Sequence, residues 1–341
     1  SEMCIRDRIG SCSCNVFIGY LAGHIGGSSH NVAIGNRAGN SLGGSLGGSD
    51  SGNRGGGNIM FGQCAGYGLF CGGQNFFAGV SAGACGIETT CTIAIGRLAG
   101  IYHTNGYDNT YIGMHAGNGC GVGGTSCKNV ALGSHALFKI FNGFANIGIG
   151  VCAGGCIIGG CCNINIGRCA GLGNTEGHGN IFLGDLSGPQ TCGHTGSHNI
   201  SLGRDAMRNS TGGASCNIVL GPYAGNDITG NYNVILGCGA ALDSTSLNYG
   251  IVIGCEASPK STGDYTLSIG VRAGRCNTTG IRNINLGFCA GHGITTGESN
   301  ISIGRKAGAQ DCGASGEGNA SIGHRSGCNL TSGNNLSLIH I

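Results

Sequence analysis

The chain has 341 residues: 75 Gly, 22 Cys, three Pro, no Trp, and a net charge of +2. Pro is too scarce and Gly too irregularly placed for a collagen helix. No apolar run reaches the ~18–20 residues of a membrane helix, so no membrane insertion is expected. A near-neutral charge speaks against nucleic acid as a partner.

Taken in chain order, the first feature is the end itself. Residues 3–8, Met-Cys-Ile-Arg-Asp-Arg, can be encoded by ATG TGT ATA AGA GAC AG. The last six, Leu-Ser-Leu-Ile-His-Ile, can be encoded by CTG TCT CTT ATA CAC ATC, which contains the reverse complement of the first string. Both resemble the transposase adapter used in sequencing libraries. Residues 1–8 and 336–341 are therefore expected to be adapter-derived, flanking a repeat domain over 9–335 in an open-ended fragment of environmental DNA.

From residue 15 onward one short unit recurs, as in Asn-Ile-Asn-Ile-Gly-Arg-Cys-Ala-Gly at 163–171. The first Gly of each unit gives eighteen anchors, from Gly19 through Gly167 to Gly323, most often seventeen residues apart. One gap, between Gly35 and Gly62, holds a Gly/Ser-rich insertion over 41–57, which reads as a loop. The residue before the anchor is apolar in all eighteen units, and the residue three before it in all but Thr110. Between them stands a variable residue such as Ala33, Tyr111 or Ser268. This alternation is a strand signal, and it predicts that the apolar pair faces the core. Three and four after the anchor come Ala and Gly, marking a tight corner. A ~17-residue unit with one strand cannot bury its apolar edge alone. Stacked in register, the units form a single parallel β-solenoid of about 18 coils, an all-β fold.

Four before the anchor stands Asn in fifteen units: Asn15, Asn31, Asn58, Asn75, Asn109, Asn129, Asn146, Asn163, Asn180, Asn199, Asn217, Asn233, Asn283, Asn300 and Asn319. Thr92, Gly250 and Thr266 interrupt the column. It reads as a structural Asn ladder, each amide bonding to its neighbour one strand spacing away. A second column eight after the anchor runs through Thr175, Cys192, Thr211, Thr229, Thr245, Thr262, Thr278, Thr295, Cys312 and Thr331. Beside a Gly turn it reads as a turn ladder, with Cys filling a Thr-sized slot. An exposed paired Thr array would instead indicate ice binding.

The pattern N-x-x-[IL]-G-x-x-A-G followed by T-[TS]-G, as at 283–297, resembles the Asn-Thr-Ala-Ile-Gly-x-x-Ala repeats of bacteriophage tail-fibre proteins. More distantly it is similar to the head repeats of trimeric autotransporter adhesins. The resemblance covers about residues 15–335. It implies an extended fibre shaft in a virion or at a cell surface, self-association as a homotrimer, and a cell-surface receptor or glycan as target.

The chemistry-bearing residues do not assemble into a reaction centre in the sequence. His115, His135, Cys152 and Cys169 recur two after the anchor, in a column shared with Arg37, Asp205, Glu256 and Lys306 that is expected to face solvent. The dense run Cys152, Cys156, Cys161, Cys162, Cys169 lacks the paired C-x-x-C spacing of a zinc site. Cys238 and Cys255, in adjacent units, pose the question of a ladder disulfide. Carboxylates recur at no fixed spacing, and no phosphate-binding loop is present. The expectation is a structural or adhesive shaft of a viral tail fibre, with no catalytic, cofactor or metal residues. A bacterial surface adhesin or extracellular matrix repeat protein is the alternative, and an ice-binding solenoid the third.

Overall fold

A computed structural model describes residues 5–6, 14–24, 28–42, 56–103, 105–119 and 123–339. Among the described residues there is no helix. The repeat array divides into two compact units, 1–176 and 177–341. In the first, nine three-residue strands from Val16–Ile18 to Ile164–Ile166 pair in parallel. In the second, ten run from Ile181–Leu183 to Ser337–Ile339 in the same manner. Each unit is a parallel β-solenoid with one strand and about 17 residues per coil. The strands flanking the insertion pair directly, Val32 opposite Ile59 and Ile34 opposite Phe61. Most of the insertion lies outside the described residues.

Both ends set aside as adapter-derived join the sheets. Ile5–Arg6 adds antiparallel to Val16–Ile18, and Ser337–Ile339 adds parallel to Ala320–Ile322. The reason is general: a terminal strand offers a row of open backbone donors and acceptors, and any extended segment can take them.

The strand faces are reversed relative to the sequence expectation. In every coil of both solenoids except the last, Ser337–Ile339, the middle strand residue is buried, and the residues beside it are half-buried or exposed. Phe77, Tyr111, Phe182, Ile235 and Ser302 point inward, whereas Ile93, Ile112, Leu202 and Ile251 point outward. Pleating explains this. The Asn four before the anchor is enclosed, so with a period of two the residue two before the anchor must also be enclosed, and the Ile or Leu on either side cannot be.

The interior is consequently narrow. It is built from the middle strand residue, the Ala three after the anchor and the residue seven after it. Ala33 faces Leu42, and Val219 lies in one cluster with Ala224 and Ile228. Bulk trades between these positions. Large Phe77 goes with Gly83 and Gly86, and a Cβ on Gly83 would fall 2.5 Å from the Phe77 ring. Where the strand residue is Gly148, Leu137 fills the space, 2.8 Å from where a Cβ would stand.

The anchor glycines have φ between +113° and +140°, a region barred to residues with a Cβ. Stacking adds a second constraint, since a Cβ on Gly221 would lie 2.7 Å from the carbonyl oxygen of Gly237, the next anchor. By contrast Gly239, at φ +60°, has open space around it. Gly221→Ala should therefore cost upwards of about 2 kcal/mol, and Gly239→Ala only about 1 kcal/mol, the ordinary penalty of a left-handed residue. Denaturant midpoints of the two variants check this ordering.

Candidate functional site

Every ladder Asn is buried, none more than 6% exposed. Asn217 shows the bonding pattern. Its backbone N–H and its Nδ2 both donate to Asn199 Oδ1, at 3.0 and 3.1 Å. Its own Oδ1 accepts in the same way from Asn233, at 3.0 and 2.9 Å. Nδ2 also donates to the Gly230 carbonyl at 2.9 Å, thirteen residues on in the same coil. Each Asn thus joins its neighbour and closes its own coil. The same bonds recur through Asn58, Asn75, Asn129 and Asn146 in the first unit and Asn199, Asn233 and Asn300 in the second. At the interruptions the neighbour's carbonyl is still used, by Thr92 N–H at 2.9 Å and Gly250 N–H at 2.8 Å.

In the Thr column the hydroxyls of Thr229, Thr262 and Thr278 donate to the carbonyls of Thr245, Thr278 and Thr295 in the following coil. Cys312 departs from its expected role as a Thr substitute and forms a disulfide with Cys276, 36 residues away. Cys152, Cys162, Cys238 and Cys255 are thiols. His115 and His135 stack with ring centroids 4.9 Å apart, and Phe138 stands edge-on to both. Burial and the positive fields of His135 and Arg97 hold the His115 imidazolium below its usual range. The column two after the anchor is not uniformly solvent-facing: Cys289 and Asp205 are buried. Asp205 can be enclosed because Arg204 Nε and Arg208 Nη1 each donate to its carboxylate at 3.1 Å.

The sequence did not single out His103. It is buried and stacks on Tyr111, centroids 5.2 Å apart. Its Nε2–H donates to the Gly117 carbonyl. Nδ1 is left to accept from the Ser126 hydroxyl at 2.6 Å. A hydroxyl on an imidazole is the arrangement of an activated nucleophile, but Ser126 and His103 are at most 1% exposed. The trio works as a satisfied polar layer in the core. Burial lowers the pKa of His103 to about 4, and that of His194 likewise to about 4.

Two exposed arrays remain. The first is the outward apolar pair of the strands. Val16, Ile93 and Ile112 in the first unit are 43%, 40% and 40% exposed, and Leu202, Ile218 and Ile251 in the second 43%, 39% and 41%. In parallel register each stands directly on its counterpart, as Ile200 on Ile218 and Leu202 on Leu220. The second array is Tyr232, Tyr249 and Tyr265, one before the Asn column. Their rings stack 5.2 Å apart within 5° of parallel, and all three are exposed. Left-handed backbone, φ 54° to 60°, turns them out at the corner. The sequence signal for this row was three Tyr at one repeat position.

No family model, curated protein or solved structure matches the chain.

Two predictions follow from the enclosed groups. Asn217→Ala leaves polar groups on two neighbouring coils unsatisfied and should cost about 1–3 kcal/mol. Asn217→Asp at pH 7 should cost more, because a buried carboxylate cannot donate to Asn199 or Gly230. Chemical denaturation of both variants checks the order. His103 and His194 give a pH dependence. The unfolded chain takes up their protons below pH ~6.5, while the folded chain refuses them until about pH 4. Stability is full above pH ~6.5 and falls as pH drops toward 4, by about 3 kcal/mol at most for each His. Denaturation at pH 7.5 and 4.5 should show the loss, and His103→Gln should remove part of it.

Proposed function

We propose that the chain is the shaft of a structural fibre that assembles by self-association through the outward Ile/Leu face of its strands. The observation that carries this reading is the reversal of the strand. The most regular apolar residues of the repeat are the ones left outside. The seventeen such positions of the first unit and the nineteen of the second each present on the order of 1,000 Å² of apolar surface, above the ~300–600 Å² of the largest patch on a typical monomer. It also exceeds the ~800 Å² that each partner contributes to a standard interface. A net charge of +2 over 341 residues offers little repulsion to side-by-side copies.

The repeat grammar resembles tail-fibre shafts, and three chains is the number that resemblance implies. The exposed Tyr row supplies an adhesive element for flat apolar faces such as those of sugar rings, worth little per contact and more in an assembled fibre. It equally suits a bacterial surface adhesin, the second reading.

Sedimentation equilibrium tests the proposal. The parent chain is expected at three times its 33.8 kDa monomer mass. A Leu202→Lys, Ile251→Lys double variant is expected to shift to monomer with an unchanged circular-dichroism spectrum, since both side chains are exposed in the single chain. A parent that stays monomeric throughout the concentration range would overturn self-association through this face.

A further inference from the structure

Among the described residues, one group of Cys, His and acidic side chains is close enough to share an ion: Cys276, His292 and Cys312, whose ligand atoms all lie within 4.8 Å of one another. Cys276 and His292 sit on neighbouring coils, and Cys276 N–H donates to the His292 carbonyl at 3.0 Å. Cys312 belongs to the following coil, whose anchors Gly304 and Gly323 are nineteen residues apart. The two extra residues form a bulge at 310–313 that folds over Gly293. A Cβ there would lie 2.2 Å from the Asp311 carbonyl oxygen. Gly293 N–H donates to Ala309 O at 2.8 Å, and Ala314 N–H donates back to Gly293 O at 3.1 Å, which pins both ends of the bulge. The bulge carries Cys312 past the His292 coil to a Cα distance of 5.7 Å from Cys276.

The imidazole is also prepared as a ligand. His292 Nδ1–H donates to the Gln310 carbonyl at 3.0 Å, which fixes the tautomer and leaves Nε2 with an available lone pair. Such outer bonds orient metal-binding histidines generally. Gln310 is itself held, its Nε2 donating to the carbonyls of Cys289 and Gly308 at 3.1 Å each. Imidazole and bulge are therefore positioned by the same residue.

The geometry points to a Cys2His site for a zinc-class divalent ion, formed when the Cys276–Cys312 disulfide is reduced. Two thiolates and one imidazole are a soft, tetrahedral-type donor set. Cys312 is exposed, so the fourth position is open to water. Ion uptake displaces one proton from each thiol. Closing the disulfide instead delivers two electrons and two protons to a disulfide oxidant such as oxidised glutathione, which leaves as two thiols. Both states use the same two sulfurs, so ion and disulfide exclude each other.

The test uses the whole chain, reduced with a phosphine under argon and titrated with Co²⁺, then with Zn²⁺ in competition with a chromophoric chelator. The reduced parent is expected to bind one more ion than Cys276→Ser or Cys312→Ser, with the visible band of tetrahedral cobalt thiolate. His292→Ala and His292→Gln should weaken that ion at least tenfold while leaving the circular-dichroism spectrum of the ion-free protein that of the parent. Oxidised glutathione should abolish it in the parent. Because twenty other Cys are present, the readout is the difference between parent and variants. Equal stoichiometry and affinity in parent and all four variants would overturn the site, as would a reduced parent that takes up no ion.

Discussion

The buried Asn column is the constraint on which the rest of the fold depends. A coil of about 17 residues has a strand of only three, so most of its backbone groups lie in corners. The Asn side chain answers three of these needs at once. It accepts from the next coil's backbone, accepts from the next coil's amide, and donates to a carbonyl near the end of its own coil, as Asn199 does toward Asn217 and Ala214. An enclosed amide satisfied on every side is stable where an unsatisfied one would be costly. The anchor Gly completes the corner because the backbone of the next coil occupies the space a Cβ would need.

Narrow coils follow from those closures. The interior holds one strand side chain, one small residue and one further residue per coil, so volume is balanced within a coil, as with Phe77 and Gly83, or between neighbouring coils, as with Gly148 and Leu137. Toward the end of the second unit the inward strand residues are Ser302 and Ser321, and a cavity of about 20 Å³ lies beside them, space for about one water. With so little room inside, the Ile and Leu of the strand go outside. The stability of a single coil then owes more to hydrogen-bond closure and small-residue packing than to aliphatic burial.

The sequence made the period, the strand, the Gly corners and the Asn column legible, because each is a fixed residue type at a fixed interval. It also contained the facing of the strand, by parity: Asn233 and Ile235 share a face, and Val234 and Leu236 share the other. An enclosed Asn puts the residue two after it on the same enclosed face, and the apolar pair on either side is left on the other. Variability between the apolar residues, from Gly148 to Tyr111, looked like solvent exposure and is core complementation. The Cys276–Cys312 link was hidden for another reason. Its partners stand six and eight after their anchors and two coils apart, and only the two-residue bulge brings them together.

The aliphatic residues of the strands point outward, and the proposal of self-association rests on that orientation. That account stands on the orientation of three strand residues per coil. Methyl–methyl nuclear Overhauser contacts in a chain diluted into unlabelled copies report this orientation within one molecule. The account predicts contacts from Val219, Ile235 and Val252 to the methyls of Ala224, Ala240 and Ala257, with which they share a buried cluster, and none from Leu220, Leu236 or Ile253. Contacts from Leu220, Leu236 and Ile253 to those alanines would place the aliphatic pair in the core and contradict it.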